Sequence, residues 1–258
     1  MILNTGTRTD IPAFYSKWFL KRIEEGFVLS KNPYNNQIYK YSFNPKTVDC
    51  ICFCSKNPKP LLKNLDKLSD YRQFWFTTIN PYGKDIEINV PDYKKVIKTF
   101  KELSDSLGIN CVSWRYDPIF ISEKYSIDFH IDKFEEMASE LHEYTSDCTI
   151  SFIDLYQKVL RNFPEAREVT TEERLLIGEN FAKIAIQGGF IALLSLIAYI
   201  IGQFTSPIVG TTMAFVTLGI SQLLHCFNSK LEGSIFKLEV FSNRFMNLSV
   251  FATAFIII

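Results

Sequence analysis

Charge on this chain stops at Lys183. Residues 1–183 carry 51 of its 56 acidic and basic side chains, and none occurs from Ile184 to Ser229. The stretch GENFAKIAIQGGFIALLSLIAYIIGQF, residues 178–204, begins like a soluble helix with Glu179 and Lys183 and ends uncharged. Ile184 to Phe204 is 21 residues long, which matches the ~20 needed to cross a hydrocarbon layer about 30 Å thick. Thr205-Ser206-Pro207 reads as a turn, and Ile208 to Phe227 as a second span of similar length. Phe245 to Ile258 begins a third and stops after 14 residues, a truncated span. A net charge of zero and a mean hydropathy of +0.03 therefore average two different materials.

Orientation follows from the flanking charge. Lys230, Lys237 and Arg244 lie between the second and third spans, and the charged region precedes the first. Both belong on the cytoplasmic side, with the Thr205–Pro207 turn outside. The expected localisation is the membrane, with residues 1–183 cytoplasmic. The first thirty residues lack the basic-then-apolar pattern of a signal peptide. The six cysteines form no CxxC pair or regular disulfide frame, which suits that compartment. Mixed charge throughout residues 1–183 provides no basic face, so nucleic acid is not an expected partner. The bilayer and other membrane helices are.

Residues 1–183 alternate short apolar runs with amphipathic segments. Met1–Asn4 is a strand, and Pro12 opens a helix through AFYSKWFLKRIEEG that Gly26 closes. FVLSKNPYNNQIYKYSF reads as a hairpin turning at Asn35-Asn36. TVDCICF, FWFTTI, NCVSWR and CTISFI are strands, followed in turn by helices around PLLKNLDKL, DYKKVIKTFKELSDSLG, DKFEEMASELHEY and DLYQKVLRNF. A last helix starts near Thr170, where Thr170 and Glu173 have capping-box spacing. Strands separated by helices pair in parallel. A closed eight-fold barrel takes ~250 residues, so about five strand–helix units predict a partial (β/α) barrel.

In such folds the chemistry lies at the carboxyl ends of the strands. The polar residues there are Arg8, Thr9 and Asp10, then Lys56 and Asn57, Asn80 and Tyr82, Arg115 and Asp117, and Asp154. They are the candidate ligand pocket, although each also suits a helix cap or a loop ion pair. Cysteines 50, 52 and 54 in CICFC share one strand face at about 6.6 Å per step. Thiolates on one zinc lie ~3.8 Å apart, so no metal site is expected and the three read as small packed side chains.

The stretches TRTDIPAFYSKWFLKRIEEGFV, VDCICFCSKNPKPLL, FTTINPYGKDIEINVPD, WRYDPIF and ISFIDLYQKVLRNFP resemble the bacterial family DUF1848, from Met1 to about Lys183. That family looks related to radical S-adenosylmethionine barrels and implies a cysteine cluster for an iron–sulfur centre near the carboxyl end. No cysteine lies between Cys148 and Cys226, so the cluster's ligands are absent and no cofactor is expected. IQGGFIALLSLIAYIIG and TTMAFVTLGISQLLHCFNSKLEGSIFKLEVFSNRFMN resemble the carboxyl-terminal membrane region of calcium-type P-type ATPases, over residues 184–258. The resemblance places Gln222 where some pumps carry an ion-coordinating carboxylate. Gln222, His225 and Asn228 are the intramembrane polar candidates, near the cytoplasmic end where contacts with headgroups or neighbouring helices also explain them. No Asp-Lys-Thr-Gly phosphorylation motif occurs, so pumping by the parent mechanism is not expected. The expectation is a chimeric or truncated chain without complete activity. The alternatives are a membrane-tethered small-molecule-binding domain and a membrane fragment that associates with a cation-transporting ATPase.

Overall fold

A computed structural model of the chain describes residues 1–6, 8–32 and 34–228, with side chains to Ser221. The expected third span, the loop cations Lys230, Lys237 and Arg244, and the side chains of Gln222, His225 and Asn228 lie outside the described residues. The chain divides into two compact units, Met1–Gly178 and Glu179–Ile258.

The first unit is built on a parallel sheet of β1 (Ile2–Asn4), β4 (Cys50–Ser55), β5 (Gln73–Thr78), β6 (Val112–Ile119) and β7 (Cys148–Phe152), in that order. Between β1 and β4 an antiparallel hairpin is inserted, β2 (Phe27–Lys31) with β3 (Ile38–Ser42), and Asn36 takes the positive φ of 59° at its turn. The expected first helix divides into α1 (Ile11–Phe14) and α2 (Ser16–Glu25), because Tyr15 leaves the helical region at φ −127°, ψ 21°. Asp10 caps α1 through the Ala13 N–H at 2.9 Å, and Gly26 at φ 77° ends α2. The helix expected around PLLKNLDKL is only α3 (Lys59–Leu62) plus a 3-10 turn at Leu65–Leu68.

α4 (Tyr93–Leu107) and α5 (Ile127–Leu141) form as patterned. Asp92 and Ser126 cap them, and Val96, Phe100 and Leu103, or Phe134, Met137 and Leu141, recur on one face at helical spacing. α6 (Gln157–Asn162) follows β7.

The two faces of the sheet differ. Ile51, Phe53, Trp75, Val112, Trp114 and Tyr116 are buried, Phe53 stacks on Trp75 at 4.2 Å, and Trp114 stacks on Phe134 at 5.1 Å. Each such side chain contributes about 1.5–3 kcal/mol by leaving water. Cys50, Cys52 and Cys54 alternate with Ile51 and Phe53 and are half-buried, as are Phe74 and Phe76 beside them. The cysteines thus share one face as expected, but it is the half-open one rather than the fully packed layer.

α7 (Thr171–Gln203) opens with the expected capping box: Glu173 accepts from the Thr170 N–H at 2.9 Å and the Glu173 N–H reaches Thr170 Oγ1 at 3.3 Å. By length and composition it can cross a membrane, and none of its apolar window is buried, unlike the core helix of a soluble protein. The chain turns at Phe204–Ser206 into α8 (Pro207–Asn228), whose described apolar stretch, Pro207–Ser221, is shorter than a full span. Gly202 and Gly210 let the two helices approach closely, since a Cβ on Gly202 would lie 2.6 Å from the Gly210 Cα.

Candidate functional site

β6 sets the geometry of the carboxyl edge. Arg115 and Asp117 are two residues apart and share a face, and Arg115 Nη2 lies 2.5 Å from Asp117 Oδ2. The Ser151 hydroxyl on β7 donates to Asp117 Oδ1. Between Tyr116 and Ile119 the β6–β7 register shifts. On the other edge of β6, just past the last β5 pair of Thr78 with Arg115, Asn80 in the loop after β5 takes the place of a strand residue. Its Oδ1 accepts the Asp117 N–H at 2.9 Å and its Nδ2 donates to the Asp117 carbonyl at 2.8 Å. The same Nδ2 lies 3.3 Å from Glu87 Oε1, and that carboxylate accepts from Lys56 Nζ beyond β4. A continuous polar line therefore runs Lys56–Glu87–Asn80–Asp117, and ends on Arg115 and Ser151.

Against this line lies a cavity of about 370 Å³. Lys56, Glu87, Asp117 and Ser151 supply polar groups to its wall, and Phe120, Phe152 and Phe163 supply rings. Tyr82 braces the wall: its hydroxyl donates to the Pro118 carbonyl at 2.7 Å and accepts the Phe120 N–H at 2.8 Å. Burial pushes the Tyr82 phenol far above its ordinary range, the Phe120 N–H opposing, so it is a neutral donor at all physiological pH.

Of the expected pocket residues, Lys56, Tyr82, Asp117 and Asp154 line the cavity, Asp154 from an exposed position. Arg115 reaches it through Asp117. Asp10 does not line it: besides capping α1, it accepts from Ser55 Oγ at 2.8 Å and from the Lys56 N–H at 2.8 Å, bracing β1 against β4. Arg8 is exposed, and its Nη2 lies 3.4 Å from the Lys31 carbonyl on β2. Asn57 caps no helix here, and its N–H donates to Ser55 Oγ at 2.9 Å. Glu87 and Ser151 were not expected. Ser151 becomes legible once β7 is registered on β6, since Thr149 pairs with Arg115 and the next residue on that face falls beside Asp117. Glu87 lies in an irregular loop with no periodic signal.

Each cation on the polar line faces a carboxylate, and the Ser151 hydroxyl donates to the Asp117 carboxylate. Among the described residues no three His, Cys, Asp or Glu are placed to hold a metal ion. Burial raises the Cys54 and Cys50 thiols and pushes Cys148 up to about 12. An iron–sulfur centre needs several cysteines brought together, and the described residues, with no such group among them, do not fit one.

The family model described as domain of unknown function (DUF1848) matches residues 2–193. The model described as cation transporting ATPase, C-terminus matches residues 155–258. The two matches overlap over 155–193, a range holding the last cavity residues and most of α7. No curated protein and no solved structure matches the chain. The ATPase-type match and one long apolar helix together point to membrane association.

Proposed function

We propose, from the premise that the chain belongs to the DUF1848 family, that it is a membrane-tethered domain whose strand-edge cavity binds a small polar molecule without completing a reaction on it. The observation that carries this reading is the 370 Å³ cavity at the carboxyl ends of β6 and β7, with a charged line on one side and aromatic rings on the other. Cavities of that size and mixture suit a small ligand, and the carboxyl edge is where parallel α/β sheets bind them. The paired charges support binding without turnover. The sequential parallel order and the half-open second face suit a partial (β/α) barrel, whose inner face a closed barrel would fill. Two family matches meeting on one continuous helix support a chimeric origin. In this reading Ile184–Phe204 and Ile208–Phe227 both span the bilayer, and residues 1–183 face the cytoplasm. No iron–sulfur cluster takes part.

The test uses the full chain in lipid nanodiscs, screened against small polar metabolites by thermal shift and confirmed by equilibrium dialysis. A ligand that binds the native chain and binds Asp117→Asn at least tenfold more weakly supports the cavity. Binding that Asp117→Asn and Lys56→Gln leave unchanged places the ligand elsewhere and ends the proposal.

A second reading rests on the ATPase-type match: α7 and α8 associate with the helices of an intact cation pump. It requires co-purification with such a pump that survives deletion of residues 1–170.

A further inference from the structure

Outside the cavity, the β2–β3 hairpin exposes both apolar and cationic side chains. Residues 27–48 hold three lysines and no Asp or Glu. Strand pairing sorts these residues: Leu29 faces Lys40 and Lys31 faces Ile38, so both lysines share one face with Leu29 and Ile38. Leu29 is 58% exposed and Ile38 67%. Lys40 Nζ lies 4.2 Å from the Phe27 ring on the same face, and Arg8 adds a cation against the Lys31 carbonyl. Tyr39 and Tyr41 stand on the opposite face, and Tyr34 at the turn is 96% exposed.

We infer that the β2–β3 hairpin docks on an anionic lipid surface, with Leu29 and Ile38 entering the headgroup boundary and Arg8, Lys31 and Lys40 meeting lipid phosphates or carboxylates. The inference rests on the membrane association read above. Lysines flanking apolar side chains bury their stems and keep their ammonium groups at the headgroups, and Tyr34 at the turn suits the same interface. An acidic protein surface would match the cations. It would not explain why a chain with a membrane-type segment leaves Leu29 and Ile38 uncovered on the cationic face. A two-stranded ribbon is marginal in water by itself, so a surface that covers one face also steadies the pairing. Each basic residue near an anionic membrane adds attraction that salt screens.

The test places an environment-sensitive fluorescent amino acid at Tyr34, and separately at Ile200 in α7, in the full chain in nanodiscs carrying a lipid-borne quencher. The expected result is quenching at both positions in phosphatidylserine-containing discs, and at Ile200 alone in phosphatidylcholine discs. Lys31→Gln with Lys40→Gln lowers the docked-to-undocked ratio at Tyr34 roughly thirtyfold. Quenching at Ile200 with none at Tyr34 in anionic discs overturns the hairpin inference and leaves membrane association standing. Equal quenching at Tyr34 in both lipids also overturns it. A shifted emission at Tyr34 in detergent without lipid overturns it in favour of a protein contact. Absence of quenching at Ile200 refutes the membrane reading, and the hairpin inference with it.

Discussion

Asn80→Ala tests whether the polar line is a brace for the fold. Asn80 is 3% exposed and makes three hydrogen bonds: two to the Asp117 backbone, at 2.8 and 2.9 Å, and one to Glu87 at 3.3 Å. Truncation leaves the Asp117 N–H and carbonyl without that partner where the β5–β6 ladder ends. Each half-buried backbone group left unpaired costs roughly 1–3 kcal/mol. Water entering from the cavity offsets part of that, so the expected loss is about 2–4 kcal/mol. The assay is urea unfolding of the full chain in nanodiscs, followed by the fluorescence of the buried Trp75 and Trp114.

Asn80→Asp separates geometry from charge. Its carboxylate keeps the acceptor for the Asp117 N–H, but turns negative oxygen toward the Asp117 carbonyl and Glu87. These neighbours raise the folded pKa of the introduced group above its unfolded value. The stability it contributes is therefore fully present below the unfolded pKa and lost as pH rises through the folded one. At pH 7 the variant is at least as unstable as Asn80→Ala, and it recovers toward pH 4 relative to Asn80→Ala at the same pH. A loss under about 0.5 kcal/mol for Asn80→Ala, within the range of ordinary surface changes, would refute the reasoning. So would an Asn80→Asp curve that runs parallel to the alanine variant across pH.

Three further outcomes follow. His130 is buried, donates from Nε2 to the Phe120 carbonyl at 2.9 Å and accepts the Tyr116 hydroxyl at Nδ1 at 2.8 Å; burial lowers its pKa, with the Phe120 carbonyl opposing. The unfolded chain takes up that proton first, so stability is present above pH ~6.5 and falls as pH drops toward the folded pKa. Denaturation at pH 5 and pH 7 reads this difference, and His130→Gln narrows it. Glu173 is held at about 2, by the Arg167 guanidinium first and then by the Thr170 N–H. Its capping contribution is present above the ordinary carboxylate pKa and lost as pH falls through about 2. Thr170→Ala costs about 1 kcal/mol of helix-end stability, which hydrogen exchange at residues 171–174 detects as lost protection. Gly202→Ala already forces apart the two helices that approach at Gly210, at roughly 1–3 kcal/mol, and protease sensitivity of the 204–206 turn rises relative to the native chain.

Features fixed by local chemistry were legible in the sequence. Gly26 and Asn36 occupy positive φ where a helix end and a hairpin turn were read, the Thr170–Glu173 box forms as spaced, and the five strands pair in parallel. Features fixed by tertiary contact were not. The break at Tyr15 follows no Pro or Gly, and α3 shortens where its pattern continues into Leu65–Leu68. In CICFC, periodicity reveals that the three cysteines share a face, but which face the helices cover depends on the chain crossing over to α4 and α5. Arg8 and Asp10 sat at the correct edge, yet they serve the hairpin backbone and the α1 cap. Sequence places a side chain at a strand end; whether it turns inward depends on which unpaired backbone group lies nearest.

Asp117 shows how fully the polar groups of this edge are already paired. Its backbone is bonded to Asn80 and its two oxygens to Arg115 and Ser151. Lys56 is likewise committed to Glu87, and Tyr82 to two backbone groups across the β6 turn. Exchanging one of these bonds for a bond to a ligand costs little when the ligand offers the same group, because the partner stays satisfied. Removing one outright leaves a half-buried charge without a counter-ion. The edge can therefore trade partners with a polar molecule that supplies the same groups. The Asp117→Asn and Lys56→Gln variants should accordingly weaken ligand affinity and lower stability together, whereas a catalytic pair would lose rate with stability kept or gained.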